Sequence, residues 1–180
     1  MTERTLVVDQ LKFTYEGLFN ASEVYKLVDG WFYEKGWDKN EFMNQELVTP
    51  TGRQIKIILE PWKTITDYFK LVMRVKIHMN DVKDVEIEKD GQKIKVNQGE
   101  IRMIFDGYVL SDRQGIWNSK PIWWFLSILS NKYLFRENYG RAERWILSDV
   151  DDLYQKVKSF LNVYKYKFET TPIVKQESRL

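Results

Sequence analysis

The sequence predicts an α+β fold in which a curved antiparallel sheet of about six strands grips a long C-terminal helix, with an extra apolar helix inserted before it. Apolar and polar residues alternate over much of residues 6–117, a short helical pattern interrupts them near the start, and an apolar stripe at helical spacing follows near the end. The 180 residues suit one core, and 9 Gly and 4 Pro leave little material for a linker. We therefore expect one domain over residues 1–168 and a loose polar tail over 169–180.

The first strand and first helix are predicted from the start of the chain. Leu11, Phe13 and Tyr15 alternate with polar residues, which predicts a half-buried strand near residues 6–18. Asn20 then begins a capping box with Glu23 three residues on. A helix is expected over about residues 21–35.

The middle of the chain predicts further strands joined by short turns. Residues 53–59 form one candidate strand, and the odd positions from Phe69 to Met79 are apolar in a second, longer one. Residues 85–96 predict a hairpin around Asp90-Gly91, and residues 97–99 predict a further turn. A last strand follows from residue 101, in which Gly107 marks a bulge or a close approach of the backbone.

The last third of the chain predicts the long C-terminal helix. Ser148 is expected to cap it, because Asp149, Asp151 and Asp152 would then fill the first turn, where the helix dipole favours carboxylates. The stripe that predicts this helix has the spacing i, i+3, i+4, i+7 and consists of Val150, Leu153, Tyr154, Val157, Phe160, Leu161 and Tyr164. Such a stripe must be buried against an apolar sheet face.

The order of elements resembles the helix-grip fold of the START and SRPBCC superfamily, which includes polyketide cyclase-like proteins. The resemblance covers roughly residues 6–165 and is carried by the element order and by the stripe from Val150 to Tyr164. It implies a sheet curved around the C-terminal helix and an apolar cavity that in relatives takes up lipids, polyketides or other hydrophobic molecules. It does not imply catalysis, since many members only bind.

We therefore expect non-enzymatic binding of a hydrophobic or amphipathic small molecule between the sheet and the C-terminal helix. Tyrosine hydroxyls within the stripe would supply polar contacts. The positions expected to line a cavity, or else to fill a core, are Phe69, Leu71, Met73, Met103, Phe105, Leu153, Tyr154, Val157, Phe160 and Tyr164.

The alternative is an interaction or adaptor protein that docks through a Trp-rich segment. Residues 121–134 predict an apolar helix too short to span a bilayer, which needs about 20 apolar residues. Adjacent Trp123 and Trp124 cannot both face one core, because successive helical residues point about 100° apart. A buried helix, cavity gating, and cover by a protein or membrane surface over residues 121–135 stay open as interpretations.

A basic and aromatic segment follows, with Arg136, Arg141 and Arg144 as candidate partner contacts. Guanidinium groups interleaved with rings can stack on bases and hold phosphates. Acidic residues in the same segment offset part of this positive charge, and a formal charge of +2 for the chain creates no long-range field. An ordinary solvated segment is therefore the preferred interpretation over a nucleoprotein contact.

Composition argues against most catalytic and metal sites. The chain has no cysteine and one histidine, which removes disulfides, thiolate nucleophiles and Cys-ligated metals. His78 lies on the polar face of its strand and is interpreted as an ordinary exposed residue. We expect no catalytic residue, metal or cofactor, and a cyclase- or hydrolase-like enzyme ranks third. No apolar region follows a basic start, so we expect no signal peptide and a cytoplasmic location.

Overall fold

The computed structural model describes residues 3–66, 69–89, 92–111 and 136–168. Over these residues the chain forms two helices and six strands. In chain order they are β1 (Glu3–Phe19), α1 (Ala21–Glu34), β2 (Glu41–Thr49), β3 (Gly52–Leu59), β4 (Trp62–Thr64), β5 (Lys70–Lys89), β6 (Gln92–Ser111) and α2 (Arg136–Phe168).

The strands form one curved, unclosed antiparallel sheet. Their order is β1-β6-β5-β3-β2, and short β4 pairs with the start of β5 beside β3. The predicted α+β class, with an antiparallel sheet of about six strands and a C-terminal helix, is confirmed. This arrangement is compatible with a helix-grip fold.

β5 and β6 are longer than predicted, at 20 residues each. The separate strands and hairpin expected between residues 69 and 109 are parts of these two strands. The turn predicted at residues 97–99 is wrong, because Asn97 and Gly99 are paired within β6. The sheet bends instead opposite this point, where Asp81 in β5 has a positive φ of 53° and the ladder shifts between Asn80 and Lys83.

Two glycines make room for the bend at Asp81. A Cβ at Gly52 would lie 2.8 Å from the backbone carbon of Asp81, and one at Gly99 would lie 2.7 Å from the carbonyl oxygen of Asn80. Both distances are shorter than real Cβ contacts, so the neighbouring strands approach β5 this closely only because glycine stands at both positions.

The inner face of the sheet carries the core. Alternate residues of β5 from Leu71 to Met79 are at most 1% exposed, and α2 buries its side chains against the same cluster. The buried positions of α2 are Ala142, Ile146, Val150, Leu153, Val157 and Leu161. Burying each large apolar side chain contributes about 1.5–3 kcal/mol, so this contact is a main source of stability.

α2 begins at Arg136, twelve residues before the predicted cap, and this prediction was wrong. Ser148 is an exposed residue within the helix. The nearby carboxylates have another role: Asp149 accepts a hydrogen bond from the indole of Trp37 at 3.1 Å, and Asp152 accepts one from Trp31 at 2.9 Å. These bonds connect α2 to α1 and to the loop that follows it.

The predicted helix over residues 121–134 and the predicted tail over 169–180 lie outside the described residues. Within the part of the chain that the structure describes, neither helix is both long enough and apolar enough to cross a bilayer.

Candidate functional site

An open hollow of about 520 Å³ lies on the inner face of the sheet, beside the start of α1. We call it the inner hollow. Its walls come from the start of α1, from β2 and β3, and from the β5–β6 hairpin beyond the bend. The lining residues are Asn20, Ala21, Ser22, Glu46, Arg53, Ile55, Asp84, Val85, Glu86, Lys95, Val96 and Asn97.

Strand alternation places this hollow on the core side of the sheet. Arg53 and Ile55 stand at every second position of β3 and are followed at the same spacing by buried Ile57 and Leu59. All four side chains therefore share one face. Asn97 lies opposite Phe19, which is fully buried in the core. Among the described residues, the hollow is therefore a part of the core face that α1 and α2 leave uncovered.

The N-terminus of α1 is fixed to one wall of the inner hollow by two asparagines. Oδ1 of Asn20 accepts from the backbone N–H groups of Ser22 and Glu23 at 3.1 and 3.3 Å, which confirms the predicted cap. Oδ1 of Asn97 accepts from the N–H of Ala21 at 3.0 Å. The first N–H groups of the helix are thus satisfied by side chains, one of them from the sheet.

Arg53 connects the other walls. Its guanidinium donates to Glu46 on β2 at 3.3 Å and to Asp84 on β5. Asp84 also accepts from Nδ2 of Asn97 at 2.7 Å. The polar network therefore runs from β2 to β6 and then, through Asn97, to α1.

The charge of the lining is slightly negative. Three carboxylates, from Glu46, Asp84 and Glu86, face two cations, Arg53 and Lys95. The apolar part consists of Ala21, Ile55, Val85 and Val96. This combination suits a molecule with an apolar portion and a neutral or cationic polar group.

The ten positions predicted to line a cavity lie mainly inside the core. Phe69 is 3% exposed, and Leu71, Met73, Met103, Phe105, Leu153 and Val157 show no exposed surface. Tyr154 and Phe160 are half-buried against the same cluster, and Tyr154 meets the rings of Phe13 and Phe105 edge-on. Whether any of them contacts a ligand stays a prediction.

Tyr164 belongs to a second, smaller cluster with the β5–β6 hairpin. Its hydroxyl donates to Glu23 of α1. Burial, and then this carboxylate, raise the pKa of Tyr164 well above its usual value, so the hydroxyl keeps its proton. The residue fastens the C-terminal part of α2 to α1.

The predicted partner residues are described only in part. Trp123 and Trp124 lie outside the described residues, and so does the side chain of Arg136. Arg141 and Arg144 are exposed on α2, and Nε of Arg144 donates to the carbonyl of Gly140 at 3.0 Å. Trp145, next to Arg144 in the chain, is 50% exposed.

A second hollow, of about 760 Å³, lies on the outer face between β2, β3 and β5, where Lys56 and His78 line it. His78 is half-buried rather than exposed as predicted, and its Nε2 has no hydrogen-bond partner among the described residues. Burial, and then the charges of Lys56, Arg102 and Lys76, lower the pKa of His78. The imidazole is therefore neutral near pH 7.

Sequence reasoning did not find the residues of the inner hollow, apart from the cap at Asn20. Arg53, Asp84 and Asn97 come from three different strands, and no spacing within the chain brings them together. Among the described residues no cluster of three or more acidic, histidine or cysteine side chains could hold a metal ion. The chain has no match among known protein families, curated proteins or solved structures.

Proposed function

We propose that this chain is a non-enzymatic binding module of the helix-grip type that holds an amphipathic small molecule in the inner hollow. The observation that carries the proposal is the hollow itself, which leaves about 520 Å³ open on the face that the helices otherwise cover. Small-molecule sites commonly have volumes of about 300–1,000 Å³ and combine apolar walls with a few placed polar groups. The helix-grip resemblance supports the same assignment.

The lining favours one orientation of the ligand. An apolar chain would lie against Ile55, because this half-buried side chain shares the face of Arg53 on β3. A polar head would meet the network around Arg53 and Asp84. The excess of carboxylates disfavours an anionic head, so we expect neutral and cationic amphiphiles to bind better than anionic ones.

A matched set of ligands tests the proposal. Decylamine, decanol and decanoate share one chain and differ only in the charge of the head, and isothermal titration below their micellar concentrations gives their affinities. We expect the amine and the alcohol to bind more tightly than the carboxylate. Failure of all three to bind would contradict the proposal.

A pair of tryptophan variants locates the ligand. Ile55→Trp fills the hollow and should lower affinity about tenfold or more, which corresponds to about 1.4 kcal/mol. Thr14→Trp is the control, because Thr14 is exposed on the outer face of β1, opposite Arg102. Equal affinities in the two variants would place the ligand elsewhere.

Exposed residues of α2 favour docking to a partner surface as a second candidate function. Arg141, Arg144 and Trp145 share one face of the helix by their spacing, away from the buried stripe. A half-exposed indole beside two guanidinium groups suits the surface of an anionic membrane.

Co-sedimentation with vesicles tests this second candidate. Binding to phosphatidylglycerol vesicles but not to phosphatidylcholine vesicles, and its loss in Trp145→Ala, would support it. Val163→Ala is the control, because Val163 is 61% exposed elsewhere on the same helix. Absence of binding to either vesicle would exclude a membrane surface as the partner.

A further inference from the structure

Among the described strands, β1 and β2 stand at the two ends of the sheet order, and they differ in their protection against pairing with another strand. An edge strand presents unpaired N–H and C=O groups, and natural proteins interrupt or cover them. On β1 the ladder shifts register twice between Leu6 and Leu11. Gln10 there has a positive φ of 48°, and its N–H turns inward to donate to Oδ1 of Asp106 at 2.9 Å. The edge of β1 is therefore broken in its middle.

β2 lacks these protections along its regular part. The nine residues contain no lysine, arginine or proline, and the ladder with β3 is irregular only between Glu41 and Met43. Its apolar side chains are left in solvent, since Phe42 is 65% exposed, Leu47 62% and Val48 75%. Such an edge is open to strand addition.

We propose that β2 pairs with β2 of a second copy of this chain, antiparallel, about a two-fold axis that passes beside Gln45. The sheets of the two copies would then continue into each other. This inference does not depend on the proposed ligand, and the two can fail separately.

The sequence of β2 is complementary to itself in this register. A two-fold axis normal to the sheet keeps every side chain on its own face, so only residues on the same face of β2 can be paired across it. Centred on Gln45, the register pairs the residues from Phe42 to Val48. Glu41 is left out, because the shift between Glu41 and Met43 places it opposite Leu59, on the other face from Thr49. The opposed residues are Phe42 with Val48, Met43 with Leu47, Asn44 with Glu46, and Gln45 with itself.

These pairs are favourable in both packing and charge. The exposed Phe42 and Leu47 each meet an apolar residue of the second copy, so the surface that solvent touches in one copy becomes covered. Glu46 meets Asn44, a neutral residue that can hydrogen-bond. Like charges are therefore nowhere directly opposed.

The neighbouring registers lose this match. A register centred on Glu46 places that carboxylate opposite its own copy, which is destabilising. A register centred on Asn44 places Phe42 opposite Glu46 and leaves the end of the strand unpaired. The register centred on Gln45 is therefore the one in which apolar pairing and charge agree.

Contact through one strand is small compared with a standard interface of about 1,600 Å². We therefore expect a weak, reversible dimer that forms in the high micromolar range of protein concentration. Sedimentation velocity of the unmodified chain over a concentration series should show a shift from monomer to dimer. A monomer at every concentration would overturn the proposal.

Charge variants at the axis test the interface. In Gln45→Lys two lysines would lie directly opposite each other, so the variant should stay monomeric, and so should Gln45→Glu. An equal mixture of the two should recover the dimer, because opposite charges then meet at the axis. Gln54→Lys is the control, since Gln54 is exposed on β3 but lies off the edge. Dimerisation of Gln45→Lys equal to that of Gln54→Lys would overturn the assignment to β2.

Single cysteines determine the register, because the chain has none of its own. Directly opposed residues have Cα atoms about 4.5–5.5 Å apart, within the range that a disulfide bridges. Gln45→Cys should therefore form a cross-linked dimer under mild oxidation. Glu46→Cys should not, because its copy would lie diagonally opposite, at about 7–8 Å. The reverse result would exclude the proposed register.

Discussion

Replacing Gly107 by alanine tests the contact between α2 and β6. A Cβ at this position would lie 2.9 Å from Cγ1 of Ile146 and 3.2 Å from Cγ2 of Val8, where carbon atoms normally approach to about 3.5–4.0 Å. Ile146 is fully buried and has little room to retreat. Overpacking of this kind costs about 1–3 kcal/mol, and the gain from a stiffer unfolded chain offsets about 0.5 of it. We expect a net loss of about 0.5–2.5 kcal/mol.

Urea unfolding followed by circular dichroism measures this loss, and Gly30→Ala is the matched control. Nothing lies within 4 Å of a Cβ at Gly30, which is inside α1, so the same substitution should stabilise the chain there by about 0.5–1 kcal/mol. In an Ile146→Ala background, which removes Cγ1, Gly107→Ala should lose most of its cost. The reasoning is refuted if Gly107→Ala is neutral, or if its cost is the same in both backgrounds.

Three further predictions concern polar groups. Lys76→Met should cost about 3 kcal/mol in the free energy of unfolding, because Asp106 is 2% exposed and Nζ of Lys76 lies 3.0 Å from its Oδ2; an unchanged urea midpoint would contradict this. The lowered pKa of His78 means that the folded state prefers the neutral ring, so stability should fall as pH decreases below the ordinary value of 6.5, and unfolding curves of His78→Gln should lack that slope. Asn97→Ala should cost about 1–2 kcal/mol, since it removes the acceptor for the N–H of Ala21, and hydrogen exchange at the start of α1 should accelerate.

Much of the fold could be predicted because its periodicities are strong. The alternation from Leu71 to Met79 arises because one face of β5 is fully buried, and the stripe from Val150 to Leu161 arises because one side of α2 packs on that face. The cap at Asn20 is a local interaction within four residues, so its pattern is visible in the chain itself.

The misses have physical causes. β2 is exposed on both faces over most of its length, so its sequence shows no clear apolar alternation. It is held in the sheet by backbone pairing with β3, which its side chains do not reveal. Ser148 followed by acidic residues imitates a helix start. Asp149 and Asp152 are explained instead by two indoles that are far away in sequence, Trp37 and Trp31.

The inner hollow could not be predicted from periodicity. Its network joins Arg53, Asp84 and Asn97, which alternation alone assigns to polar positions of three strands. Only the bend of β5 at Asp81 brings these positions into one hollow, and a positive φ at an aspartate has no reliable signal in a single sequence.

The bend at Asp81 also determines how the strands can slide past one another. A sheet with one buried face can in principle shift its pairing by two residues and keep the same side chains inside. Here such a shift would bring a residue with a side chain against the backbone of β5, where only Gly52 on one side and Gly99 on the other fit. The register of β3, β5 and β6 is therefore fixed by the fit of these two glycines against the bend. We expect this register to persist when core residues are replaced, as long as both glycines are kept.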